Sequence, residues 1–153
     1  CIMSSLETIV ANEIARDVHS EQKDLAGHSM LHHVYGVSRA VKHLGNDYVI
    51  VALLHDTIED ADIENKSRVE DQIKQTFSPD IIEAVYAITH EAGEDYFNEY
   101  LAKVMQNTIA KKVKIADIKN NLSRIDNIKD PKEKQKLQLK YTKALEMIGE
   151  SNE

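Results

Sequence analysis

Apolar residues return at helical intervals along nearly the whole chain, and they do not alternate with polar ones over any useful length. Leu6, Ile9, Val10, Ile14 and Val18 form one stripe, opened by Ser4 and Glu7 at capping-box spacing and predicted to end near His19. The polar residues 20–27 read as a loop. Ser29 caps a second predicted helix with His33, Val37, Val41 and Leu44 on one face and Gly45 beyond its end. Asn46 or Asp47 opens a third, which reaches His55, and residues 57–65 read as an acidic turn. Ser67 with Glu70 repeats the capping-box spacing before Val69, Ile73 and Phe77, and Ser78-Pro79 opens the helix of Ile81, Ile82, Val85 and Ile88. Gly93 breaks the chain. A sixth helix carries Tyr96, Tyr100, Leu101 and Val104, and a seventh carries Ile109, Val113, Ala116, Asp117 and Asn121. The last follows Asp130-Pro131 with Leu137, Tyr141, Ala144, Leu145 and Ile148. The pattern predicts an all-α fold, a compact bundle of about eight helices joined by short loops.

One stretch breaks the amphipathic rule. From Tyr48 to Leu54 the chain is apolar on every side, as in a helix buried all round. It ends in His55-Asp56, and Glu59-Asp60 follow. Burying a histidine and an aspartate costs several kcal/mol unless they are paired or bind a metal. The sequence therefore asks for a partner at this helix end, and a metal ion with a water-filled cleft would satisfy all four side chains.

Composition narrows the picture further. The 153 residues suit one domain with a single core, and no apolar run is long enough to span a bilayer. No basic region precedes an apolar stretch at the N-terminus, so no signal peptide is expected; the single cysteine, Cys1, forms no internal disulfide. A cytoplasmic location is the expectation. Cys1 and Ile2 precede Met3 and receive no function. The net charge of −7 is unevenly spread: residues 103–143 hold twelve lysines and arginines against four acids. Most of these cations are expected to solvate helix faces, and some to line a pocket for an anionic ligand. An acidic chain is a poor partner for long nucleic acid.

Two further residues bear on the His55-Asp56 pair. His33 lies on the apolar stripe of its helix, and its neighbour His32 points about 100° away. Asp117 follows Val113 by four and precedes Asn121 by four. By itself Asp117 is as well explained by a surface pair with Lys114 as by burial. Two imidazoles and two carboxylates together suit a first-row divalent metal with positions left open for water.

The ordered set His33…His55-Asp56…Asp117 resembles the HD phosphohydrolase superfamily, and within it the small alarmone hydrolases similar to the RelA/SpoT hydrolase domain and the metazoan SpoT homolog. His19-Ser-Glu-Gln-Lys23, the helix from His33 to Ala40, residues 52–62 and Val113-Lys-Ile-Ala-Asp117 with Asn121 carry the resemblance. It implies an HD-type hydrolase domain over residues 3–150 with no synthetase or regulatory region following. It implies manganese, or another divalent first-row metal, held by His33, His55, Asp56 and Asp117. Glu59 and Asp60 would act on the attacking water. Asn121 and Tyr141 would contact sugar and phosphates, and Lys23 would lie near the base. Lys114 and Lys140, nearest in sequence to these positions, would neutralise phosphate charge. Lys23-Asp24, Ser29-Met30 and Val34 depart from the usual residues of the base-recognition segment.

The function expected is a manganese-dependent (p)ppGpp 3′-pyrophosphohydrolase, an alarmone hydrolase of the stringent response, acting on a small nucleotide without membrane or nucleic-acid partners. Two alternatives stand beside it: another nucleotide phosphatase, for example on NADPH, and a helical module that binds a nucleotide without turnover.

Overall fold

The computed structural model describes residues 2–24 and 27–149, with residues 2–5 described for their backbone alone. Among the described residues there is no strand. The chain runs through α1 (Ile2–His19), α2 (Met30–Ala40), α3 (Asn46–Leu54), α4 (Thr57–Asp60), α5 (Lys66–Thr76), α6 (Pro79–Ile88), α7 (Leu101–Met105), α8 (Thr108–Ser123) and α9 (Pro131–Ile148).

Local chemistry explains most of the boundaries. The Ser29 hydroxyl accepts from Leu31 N–H at the start of α2, Ser78 accepts from Ile81 N–H before Pro79, and Asp130 accepts from Lys132 N–H before Pro131. Each satisfies a backbone donor that the first helical turn leaves unpaired. Gly149 ends α9 in the left-handed conformation at φ 86°, where a side chain would add strain.

Four expectations change. Helix α1 begins at Ile2, so Ser4 lies inside it rather than in front of it. Helix α5 begins at Lys66, so Ser67 is likewise internal, and Asn65 precedes the helix without a side-chain cap bond. Residues 57–60 form a single helical turn, not an irregular one. The sixth helix enters α7 through a π-helical turn, Tyr96–Tyr100, opened by Asp95 accepting from Asn98 N–H.

Helix α3 is the axis of the bundle. Ile50, Val51, Ala52, Leu53 and Leu54 are all buried, against α1, α2, α6 and α8. A fully buried aliphatic side chain contributes roughly 1.5–3 kcal/mol, so this short helix concentrates much of the core energy. Its C-terminal end therefore cannot move without unpacking four neighbours. His55 caps that end and Asp56 opens α4.

Candidate metal centre and substrate cleft

Four side chains from three directions meet at the end of α3. His33 comes from α2, His55 and Asp56 from the α3–α4 junction, and Asp117 from α8. One ligand atom from each lies within 4.8 Å of all the others, and His33, His55 and Asp117 are buried. His32 is exposed, as its position on the helix required.

The geometry asks for a cation. His55 Nδ1–H donates to the Ala52 carbonyl at 2.6 Å, and His33 Nδ1–H donates to Asn120 Oδ1 at 2.7 Å. Both rings thereby turn Nε2 to the centre. There His33 Nε2 is 2.8 Å from Asp117 Oδ1, and His55 Nε2 is 3.2 Å from Asp56 Oδ2 and 3.3 Å from Asp117 Oδ1. His55 Nε2 is buried without a well-directed hydrogen bond among the described residues. Lone pairs and carboxylate oxygens at such separations repel unless a proton or a metal ion sits between them. Ligands bound at about 2.1 Å at right angles around one ion lie about 3 Å apart, so the residues fit a divalent metal. Without a metal, a proton on His55 suits that role. Burial alone would lower the pKa of His55, but the charges of Asp56 and Asp117 outweigh it and hold it well above the usual histidine value. Burial likewise opposes ionisation of Asp117, yet Lys114 first and then His55 draw it well below the carboxylate range. The two explanations open for Asp117 thus hold together: it is buried, and Lys114 Nζ donates to its Oδ2 at 3.0 Å.

Glu59 and Asp60 lie beside this cluster on α4. Glu59 opens to the cleft, and one of its oxygens accepts from the His90 backbone N–H. Partial desolvation beside the cleft, then the nearby charge of Asp56, raises both acids; Asp60 is pushed up to about 7. Behind Asp60, Gln22 donates from Nε2 to the Asp60 carbonyl at 2.8 Å. Its Oε1 lies 2.7 Å from Nδ1 of the wholly buried His19. The early His19-Gln22 segment therefore braces the acidic turn.

A cleft of about 580 Å³ opens over the centre and reaches every sequence-predicted site residue except the fully enclosed His55. Lys114 and Lys140 stand on one wall around Tyr96: the Lys140 ammonium lies 4.2 Å from the Tyr96 ring centroid and Lys114 5.7 Å from it. Lys140 has no carboxylate within ion-pair distance among the described residues, and burial followed by the charge of Lys114 lowers its pKa. Tyr141 faces the same space, its phenol raised to about 12 by burial and then by Asp117. Asn121 lies close to Asp117, its Nδ2 reaching Oδ1 at 3.4 Å. Lys23 is exposed at the mouth, while Met30, Ile125, Ile128 and Leu137 give that end an apolar lining.

Sequence reasoning passed over Asn120, Arg124, Tyr96, Tyr100 and His90. Tyr96 and Tyr100 counted only as apolar helix positions, and His90 works through its backbone N–H, which carries no residue signature. Asn120 and Arg124 had a readable clue, since they follow Asp117 by three and seven on one helix face. Most of the basic residues of 103–143 lie away from the centre: Lys134, for instance, pairs with Asp126 at 2.7 Å.

Fold and site together define an HD domain whose two-histidine, two-aspartate cluster fits a divalent metal. The chain belongs to the HD domain family, whose profile matches residues 11–147. It is 31% identical over 122 residues to the guanosine-3′,5′-bis(diphosphate) 3′-pyrophosphohydrolase of Aquifex aeolicus (strain VF5), covering 78% of this chain and 17% of that protein. It is 26% identical over 131 residues to the protein of the same name from Haemophilus influenzae (strain ATCC 51907 / DSM 11121 / KW20 / Rd), covering 78% of this chain and 19% of that one. The chain thus spans less than a fifth of the length of either relative. Among the described residues no helix is long and apolar enough to cross a membrane.

Proposed function

We propose that this protein hydrolyses guanosine 3′,5′-bis(diphosphate) to release its 3′-pyrophosphate, with manganese held by His33, His55, Asp56 and Asp117. The observation that carries the proposal is a single cleft holding three things at once: a two-histidine, two-aspartate cluster, a carboxylate pair beside it, and ammonium groups on the facing wall. The names of the two relatives support the choice of substrate.

When bound, the metal polarises a phosphoryl oxygen and makes a water acidic enough to attack near neutral pH. The remaining work falls to side chains. Glu59 has one oxygen fixed by His90 N–H, which leaves the other to take the proton of the attacking water. Asp60, with its pKa near 7, holds or passes that proton. Water oxygen joins the 3′-phosphorus, the bond to the 3′-oxygen breaks, and the 3′-hydroxyl leaves protonated. Lys140 meets a phosphate with an uncompensated charge, whereas Lys114 is already partly offset by Asp117. Asn121 and Tyr141 border the space for sugar and phosphate, and Lys23 the apolar end suited to a base.

Manganese-loaded protein incubated with guanosine 3′,5′-bis(diphosphate), guanosine 5′-diphosphate and NADPH tests the proposal by its products. Pyrophosphate from the first substrate supports it. Orthophosphate from NADPH instead reassigns the substrate, and tight binding with no product defeats the enzymatic assignment.

A further inference from the structure

Metal-binding histidines are oriented by what their second ring nitrogen bonds to, and that partner selects the tautomer. For His33 the partner is an amide, which can face either way. If Asn120 presents Oδ1, His33 carries its proton on Nδ1 and leaves Nε2 free for a metal. If Asn120 presents Nδ2, the Nδ1 lone pair becomes the acceptor and Nε2 carries the proton, which blocks it as a ligand.

The amide orientation is set by Arg124. Its Nε–H donates to Asn120 Oδ1 at 3.1 Å, while His33 Nδ1 approaches the same oxygen at 2.7 Å. A guanidinium nitrogen only donates, so the atom it faces has to be the oxygen. Asn120 Nδ2 makes no hydrogen bond among the described residues. It packs on Gly36, where a Cβ would stand 2.6 Å from it. The rest of the Arg124 head group is anchored too. One terminal nitrogen donates to Asn121 Oδ1 at 3.2 Å, and Asn121 in turn reaches Asp117. The other donates to Asp24 Oδ2, and Asp24 Oδ1 accepts from His28 N–H at 2.9 Å. A single guanidinium thus connects the loop at the cleft mouth with the partners of two of the four cluster residues.

We infer that Arg124 is a positioning residue that sets the His33 tautomer through the Asn120 amide, and that Asp24 holds Arg124 in place to do so. The inference concerns metal binding and is independent of which nucleotide the protein hydrolyses.

The test is metal affinity in a small variant set, read by chelator competition with Mn²⁺ and Zn²⁺. Arg124→Gln should weaken binding roughly 10–100-fold, the range for outer partners of metal ligands, and Asp24→Asn should weaken it in the same direction. Asn120→Asp presents oxygen in either orientation. It should therefore restore most of the lost affinity when added to Arg124→Gln, while changing the parent protein far less. In the zinc-loaded, ¹⁵N-labelled protein, the His33 Nδ1 proton should be slow to exchange and should become fast in Arg124→Gln. Lys134→Gln, which breaks an ion pair remote from the centre, should alter neither readout. Unchanged affinity in Arg124→Gln overturns the inference. So does a loss that Asn120→Asp fails to restore beyond its effect in the parent, because Arg124 would then act through general packing.

Discussion

The backbone N–H of His90, in the turn after α6, donates to the carboxylate of Glu59 on α4. The contact spans 31 positions and leaves one carboxylate oxygen facing the cleft. A glutamine at 59 still accepts that bond but cannot take a proton. Glu59→Gln should therefore slow turnover roughly 10²–10⁴-fold with metal affinity kept. Asp56→Ala should instead abolish metal binding and lower the melting temperature of the metal-supplemented protein. Steady-state kinetics and metal titration of the two variants check this division; loss of metal in Glu59→Gln alone would reverse it.

Lys140 should act on substrate affinity. Its charge is unpaired among the described residues, and a phosphate contact made equally in ground and transition states changes KM more than kcat. Lys140→Ala should raise KM severalfold with kcat little altered. The KM of a polyphosphorylated substrate should also rise with salt, because such attraction is screened over about 8 Å at physiological ionic strength. Lys132, exposed at the start of α9, is the control. An unchanged KM in Lys140→Ala would reduce this lysine to a solvated helix face.

Gly36→Ala separates stability from function. Alanine is favoured over glycine within a helix by about 1 kcal/mol, yet its Cβ would press on Asn120 Nδ2. The amide can swing aside only by drawing Oδ1 from His33 and Arg124, which costs roughly as much as the helix gains. Thermal melts of the chelated protein should change little, because gain and loss offset, and metal affinity should fall. Undiminished affinity would show that the Asn120–His33 bond tolerates the shift.

Chelated protein should lose stability as pH rises. Asp60 binds its proton more tightly folded than unfolded, so its contribution declines from about pH 4 through its folded value of about 7. His55 is raised as well; its contribution is full below about 6.5 and lost as pH climbs through the folded value. Asp117 and the buried His19 are depressed and have the opposite sign: Asp117 loses its contribution only on strong acidification, while His19 loses its own as pH falls below about 6.5 and offsets part of the trend. Melting temperatures with chelator should be lower at about pH 8 than at about pH 5.5. Added Mn²⁺ should shrink the deficit, because the ion takes the place of the His55 proton. A chelated protein equally stable at both values would contradict the proton's role in the empty cluster.

What the sequence determined by itself was local or periodic. Helical spacing, the Ser29, Ser78 and Asp130 caps, and the all-round apolar run before His55 depend on neighbours within a turn or two, so order along the chain records them. The same run announced a His-Asp end whose burial asks for a partner, paired group or metal. The capping-box spacings at Ser4 and Ser67 misled because a spacing shows that a cap is possible, not where the first turn starts. Tertiary structure decided the rest. Asp117 could have faced water or the core, and only the packing of α8 on α2 and α3 brings it to 2.8 Å from His33. His90, 31 positions from Glu59, and Asn120, 87 positions from His33, act through a backbone N–H and an amide oxygen. Such bonds depend on where two distant segments meet, and no periodicity along the chain encodes that meeting.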